Sequence, residues 1–507
     1  MIKIVVKSGA ALHKILIQTV MRAPMRFFAE VDSGTTLNRF SQDMTLVDAV
    51  LPTMAFGTFL SITQCFAQAA LISLGSSHMA ITIAPCLVVL YYVQKFYLRT
   101  SRQLRFLDLE AKSPLYTHFV ETLEGLSTIR SFGWQSAVTD ECLRRLDASQ
   151  KPYYLLYCIQ RWLNVVLDLL VAVLAVIVTA LAMLLRSTTT NPGNLGVSLT
   201  AILVFNQTLQ ELISSWTSLE TSLGAIARTR SFEMKMPAEE DKAGEDYIPP
   251  EPSWPARGAI EICSVSASYD ETTNALENIS MSIKPCEKIG ICGRTGSGKS
   301  TLLSLLLRLQ DPKSGHILID GIDITTIPRT ILRSRVIIAI PQDPLILAGC
   351  SVRFNADPAG NATDEEIIAA LRRVRLWGKQ LLDPRCAGGN RDGALDRKLT
   401  TQSLSQGEQQ LFALARAILR KKNSTSGTGT SPGPCPGGIL LLDEATSTID
   451  PETDRLMQAV IREEFAGYTI VSAAHRIETI RDADRIAVLD AGRVVRVERA
   501  EEVLHTL

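Results

Sequence analysis

The run Gly293-Arg294-Thr295-Gly296-Ser297-Gly298-Lys299-Ser300 fits the pattern GxxxxGK[ST], with the apolar KIGIC before it and TLLSLLLRL after it. An apolar strand, a glycine-rich loop and a helix in that order make a phosphate cradle. Glycines let backbone N–H groups close around phosphate oxygens at a helix amino terminus, where the helix dipole favours negative charge. The Lys299 ammonium then reaches the outer phosphates and the Ser300 hydroxyl ligates magnesium. Thr301 completes the set at the start of the helix.

Such a cradle needs a carboxylate at the end of a neighbouring apolar strand. Ile439-Leu440-Leu441-Leu442-Asp443-Glu444 supplies one. Asp443 suits a magnesium ion held through its water shell, and Glu444 is placed to take a proton from an attacking water. Between the two motifs lies Ser403-Leu404-Ser405-Gln406-Gly407-Glu408-Gln409-Gln410, followed by LFALARAIL. At this point the chain resembles the ATP-binding cassette (ABC) transporters, whose signature LSGGQ opens a helix between the two nucleotide motifs.

That resemblance implies ATP and Mg2+ as cofactors and adds residues in a fixed order. Tyr269 falls in the position of the aromatic that stacks on adenine, and Gly293 to Thr301 bind the phosphates. Gln342 in IPQDP and His475 in SAAHR join Glu444 as catalytic residues, while Ser300, Gln342 and Asp443 hold the metal. Ala445 to Asp450 (ATSTID) matches the loop that follows the carboxylates. Ser405 and Gly407 would meet ATP held by an opposing cassette, so a closed site needs a second one. Here the signature reads LSQGE, with Gln406 for Gly and Glu408 for Gln.

The segments Ala23 to Asp43, Thr100 to Gly133 and SVRFNADP (Ser351 to Pro358) are similar to the C subfamily, the multidrug-resistance-associated type, and to its carboxy-terminal half. The resemblance implies an ATP-hydrolysing efflux transporter for amphipathic organic anions, conjugates or toxic metabolites. It implies as partner a first half or a second copy in a homodimer. A channel-like or regulatory membrane subunit, or an inert truncated fragment, are the alternatives. Six membrane helices are expected in such a domain and four are legible, with the chain starting near the end of the second.

The elements that position these motifs divide the chain into unlike parts. Lys plus Arg total 52 and Asp plus Glu total 52, so bulk charge selects no nucleic-acid partner. Residues 1–235 hold 20 basic and 15 acidic side chains, against 32 and 37 in residues 236–507. From Ala49 to Gln94 no charged residue occurs, about twice what one membrane helix needs. Spans are expected near 50–73, 79–98, 162–185 and 195–212. Basic residues flank them at Arg22, Arg26, Arg39, Lys95, Arg99, Arg102, Arg105, Arg228 and Arg230, which places both ends in the cytosol. The polar stretch 99–160 projects there too.

Residues 236–256 are acidic and Pro-rich and read as a linker. Residues 257–507 alternate β-rich and helical segments, an α/β pattern, with a low-complexity insertion at 423–438 expected as a disordered surface loop. The ten cysteines form no CxxC pair and read as reduced thiols. The expectation is a multi-domain, multi-pass integral membrane protein contacting lipid, in the plasma or vacuolar membrane. It joins an incomplete all-α transmembrane domain of ABC exporter type, with long cytosolic extensions, to an α/β P-loop cassette in the cytosol.

Overall fold

The computed structural model describes residues 2–30, 33–75, 80–184, 192–239, 251, 254–268, 274–378, 391–400, 403–425, 437–445, 449–474 and 481–504. Two compact units emerge: residues 1–21 with 31–236, and residues 22–30 with 237–507.

The first unit is helical: α1 (Ile2–Arg22), then α3 (Ser33–Asn38), α4 (Leu51–Gly75), α5 (Ala80–Glu124), α6 (Leu126–Ser131), α7 (Gln135–Leu184) and α8 (Pro192–Lys235). The short α2 (Met25–Glu30) belongs to the second unit. Helix α1 precedes the first expected span. Lys3, Lys7, His13 and Lys14 interrupt its apolar residues, so no uncharged run announces it. The polar stretch 99–160 is helical, formed by the second part of α5, by α6 and by the first part of α7. Helix α7 has 50 residues; at 1.5 Å each it is roughly 75 Å long, over twice the roughly 30 Å hydrocarbon core.

Helix α4 packs along α8, and α5 along α7. Ile72, Val171, Leu174, Ala201 and Ile202 form one buried cluster; Tyr97, Leu163, Leu167 and Ile213 form another. Among the described residues, the stretches Thr36–Ile72 and Gln135–Ile177 are long and apolar enough to cross a membrane.

The second unit is built on two sheets. Strands β1 (Ile260–Ser268), β2 (Asn274–Ile283), β4 (Ser314–Ile319) and β5 (Ile322–Asp323) pair antiparallel in the order β2-β1-β4-β5. A six-stranded sheet has the order β10-β9-β3-β8-β7-β6, formed by β3 (Lys288–Gly293), β6 (Ile337–Ile340), β7 (Ile439–Asp443), β8 (Thr469–Ala473), β9 (Arg485–Asp490) and β10 (Arg493–Arg499). Its central strands pair parallel. Strand β8 is buried at every position and β7 at all but Asp443, the continuous burial expected of parallel strands covered on both faces.

Helix α9 (Lys299–Leu306) packs Leu302, Leu303, Leu305 and Leu306 into the core shared by both sheets. Helices α11 (Val352–Ala356), α12 (Asp364–Arg373), α14 (Gln406–Thr425) and α15 (Pro451–Glu464) build a second core around Phe412, Leu371 and Met457. The short helices α10 (Arg329–Ile331) and α13 (Arg391–Leu395) lie in the connections between these elements, and a further short helix, Ala500–Leu504, follows β10. Helix α14 reaches Thr425, three residues into the expected insertion, and 426–436 lie outside the described residues. Cys286 is disulfide-bonded, against the expectation of reduced thiols throughout. Spacing along the chain could not reveal it, because tertiary folding decides which distant cysteines meet.

Candidate functional site

Strands β3 and β7 run parallel with β8 between them, so their carboxyl ends open on one edge of the sheet. Chain reversal at the end of β3 requires glycine. Gly296 and Gly298 have φ of +82° and +100°, and a Cβ on Gly298 would lie 2.4 Å from Leu276 Cδ2. The loop delivers Lys299, 5% exposed, to the first position of α9, where its Nζ donates to Gly293 O at 3.0 Å and Arg294 O at 3.2 Å. Those carbonyls curl the loop around the ammonium.

Across the sheet edge, Ser300 Oγ donates to Asp443 Oδ1 at 3.3 Å, joining residues 143 apart in sequence. Glu444 Oε1 stands 3.9 Å from Lys299 Nζ. Glu444 has φ +43°, a left-handed conformation that costs a non-glycine residue about 1–3 kcal/mol. Its N–H donates to Ala473 O at 3.0 Å, which fixes it at the strand end. Burial pushes the Asp443 carboxyl above its ordinary range, with the Ser300 hydrogen bond and Lys299 opposing and Glu444 adding to the rise. Ser297 Oγ is buried with no hydrogen-bond partner among the described residues. A buried cation, a hydroxyl beside a carboxylate short of positive charge, and an orphaned polar atom in the loop all fit a magnesium–phosphate group.

Ser405 and Glu408 stand at the start of α14. Ser405 N and Oγ donate to Glu408 Oε2 at 3.0 and 3.1 Å, and Glu408 N donates to Ser405 Oγ at 3.3 Å. These reciprocal bonds make a capping box, so Glu408, the departure from the expected Gln, fills a capping role that either residue type can fill. Gly407 sits in the first turn, where an added Cβ would come 3.4 Å from Thr453 Cγ2.

The ABC transporter transmembrane region family matches residues 1–209, and the ABC transporter cassette family matches residues 276–425. This chain belongs to the ABC transporters. It is 48% identical over 494 residues to ABC multidrug transporter B of Aspergillus fumigatus, covering 97% of this chain and 32% of that protein. An ABC-type transporter of Gibberella zeae is 45% identical, with 98% and 32% covered. The ABC transporter gloK of Glarea lozoyensis is 44% identical, with 98% and 35% covered. The chain thus spans about a third of the length of these relatives. A bacterial Atm1-family ABC exporter with ATP bound shares the fold, with TM-score 0.79, 22% identity, and 99% of this chain and 84% of that one covered. The protein is an integral membrane ABC chain, a helical transmembrane domain followed by an α/β cassette.

Within this ABC cassette, the sequence-predicted Lys299, Ser300, Asp443 and Glu444 come together. Tyr269 and His475 lie outside the described residues. The Gln342 side chain is exposed, and its carbonyl accepts from Gln410 Nε2 at 2.5 Å, as Pro341 O does at 3.3 Å. Gln410, 2% exposed in α14, therefore ties the signature helix to the Gln342 loop. Asn355, fully buried in α11, accepts from Leu347 N at 2.8 Å and donates to Leu347 O at 3.1 Å. Arg416 Nε donates to Asn355 O at 2.6 Å and its Nη1 to Leu345 O at 2.5 Å. Sequence reasoning missed this network. Its one signal was polar residues on the apolar face of α14, in LSQGEQQLFALAR.

Proposed function

We propose that this chain is one part of an ATP-hydrolysing efflux transporter of the C subfamily, equivalent to its carboxy-terminal half, and that it works with a second cassette. The observation that carries the reading is the meeting of Lys299, the Ser300–Asp443 pair and Glu444 at the ends of strands β3 and β7. Ser300 and Asp443, with Gln342, would hold Mg2+, which supplies charge neutralisation at the phosphates when bound. Lys299 binds the outer phosphates, and the loop from Gly293 to Thr301 orients them through its N–H groups. Glu444 takes the proton of the attacking water. Tyr269 stacks on adenine and His475 orients the water. Ser405 and Gly407 complete the site of the opposing cassette.

The names of relatives, among them a multidrug transporter, support efflux as the direction. Cargo is amphipathic: organic anions, conjugates or toxic metabolites, moved across the plasma or vacuolar membrane. Purified with its partner half in inverted vesicles, the protein should show ATP-dependent solute uptake. Glu444→Gln should lower hydrolysis by about 100-fold or more and leave ATP bound. Equal hydrolysis by the variant removes the catalytic assignment of Glu444. ATP-dependent current without solute uptake would favour a channel-like subunit.

A further inference from the structure

Asp168 and Glu211 are the acidic residues inside the expected spans. Asp168 in α7 lies sixteen residues before Leu184, and Asn206 in α8 lies fourteen after Pro192. At 1.5 Å per residue these are roughly 24 and 21 Å from the ends joined by residues 185–191. Both therefore sit within the roughly 30 Å hydrocarbon core, in its cytosolic half.

Asn206 Nδ2 donates to Asp168 Oδ1 at 2.5 Å, and Gln210 Nε2 donates to the same oxygen at 3.2 Å. Gln210 Nε2 also lies 3.5 Å from Asn206 Oδ1. Asp168 Oδ2 makes no hydrogen bond among the described residues, and the side chain is exposed. A polar bridge that only glues helices together closes on itself. The Asp168 cluster is the opposite, with both amides stacked on one carboxylate oxygen and the other left open.

An ionisable side chain at this depth faces protein or a water-filled cavity, because lipid contact is too costly. Around it, Val165, Leu169 and Val204 offer exposed apolar surface, and Gln207 and Glu211 continue the exposed polar face of α8. Arg161 lies seven residues earlier in α7. Its guanidinium donates to Tyr157 O–H at 2.6 Å and covers that ring, so it is directed away from Asp168.

We propose that Asp168, held by Asn206 and Gln210, recognises the protonated nitrogen of an amphipathic organic cation on the transport path. The inference rests on the transporter reading and sorts its cargo classes. Toxic metabolites bearing an ammonium or protonated amine fit this site, and organic anions do not. Oδ2 accepts the cation's N–H while the apolar side chains take its hydrocarbon part.

The test uses the chain with its partner half in inverted vesicles, with rhodamine 6G as cationic probe and dinitrophenyl glutathione as anionic probe. Asp168→Asn, an isosteric change, should raise KM for rhodamine 6G uptake about tenfold or more, the loss expected of a charge-assisted hydrogen bond. KM for the anion should stay the same or fall, ATP hydrolysis without cargo should not change, and Asp168→Glu should restore most of the cation uptake. Equal rhodamine KM in the wild type and Asp168→Asn overturns the proposal, as does an equal loss for both probes. Fluorescence anisotropy of rhodamine 6G on the purified protein separates the two readings. Asp168-dependent binding without ATP-driven uptake keeps this site and overturns the transporter reading, whereas absence of binding overturns the site.

Discussion

Phe66 and Phe59 in α4 are 73% and 66% exposed, whereas Phe412 and Phe465 in the cassette are 1% exposed. Among the described residues of the cassette, Leu345, Phe354 and Val495 are the large apolar side chains left outside. The same residue types are sorted by two solvents. Lipid accepts a Phe on the outside of α4, so the membrane unit reserves its interior for tight contacts such as Ile72 with Ile202 and for polar bridges such as Gln68–Thr208. Water does not, so the cassette places its apolar residues in two cores and spends its buried polar groups on loops.

Substitutions at matched residues would break this contrast if it is wrong. Phe412→Ala should destabilise the cassette by about 3–5 kcal/mol, because a core cavity follows the lost burial; thermal unfolding of the purified chain reads it. Phe66→Ala should move the same transition by less than about 0.5 kcal/mol. Phe66→Arg should instead cost roughly 3 kcal/mol of membrane insertion, measured as the inserted fraction in a translocation assay. A Phe66→Ala effect as large as that of Phe412→Ala would mean that the outer face of α4 is packed rather than lipid-facing.

Smaller effects sharpen the polar side of the comparison. Asn355→Leu should cost about 2 kcal/mol, since the Leu347 N–H and Arg416 Nη2 lose Asn355 Oδ1 while Arg416 Nε keeps the backbone carbonyl, and it should lower hydrolysis without changing membrane insertion. Lys288 Nζ is buried without a hydrogen-bond partner among the described residues, and burial holds its pKa below the ordinary 10.5. The unfolded chain therefore binds more protons between the lowered folded value and 10.5, so this residue makes stability rise with pH across that window. Lys288→Met should stabilise the cassette at pH 7 by about 1 kcal/mol, and the gain should shrink as pH approaches 10. Ser405→Ala should cost about 1 kcal/mol by opening the cap of α14, read in the same thermal experiment.

Much of the fold was legible because its signals are local. The uncharged run from Ala49 to Gln94 needs only hydropathy, and the glycines before Lys299 need only the turn they must make. Helix α1 was not legible, because lysines interrupt its apolar residues in sequence although its 21 residues form one helix. Glu408 looked like an erosion of the signature until the reciprocal bonds with Ser405 gave it a capping role. Gln410, Asn355 and Arg416 gave little warning, since a buried polar side chain declares its role only through the backbone atoms it reaches.

By itself the sequence determined the two solvents, the phosphate loop, the carboxylate pair after an apolar strand, and the order of motifs between them. Those features depend on residue type and on spacings of a few positions, which covalent geometry carries into three dimensions unchanged. Tertiary structure alone decided that Ser300 meets Asp443 across 143 residues, that Gln410 reaches the carbonyls of Pro341 and Gln342, and that Asp168 meets Asn206 and Gln210. Each of these contacts depends on which strand or helix packs beside which. That choice is made by burial summed over whole elements, and no short run of residues encodes it.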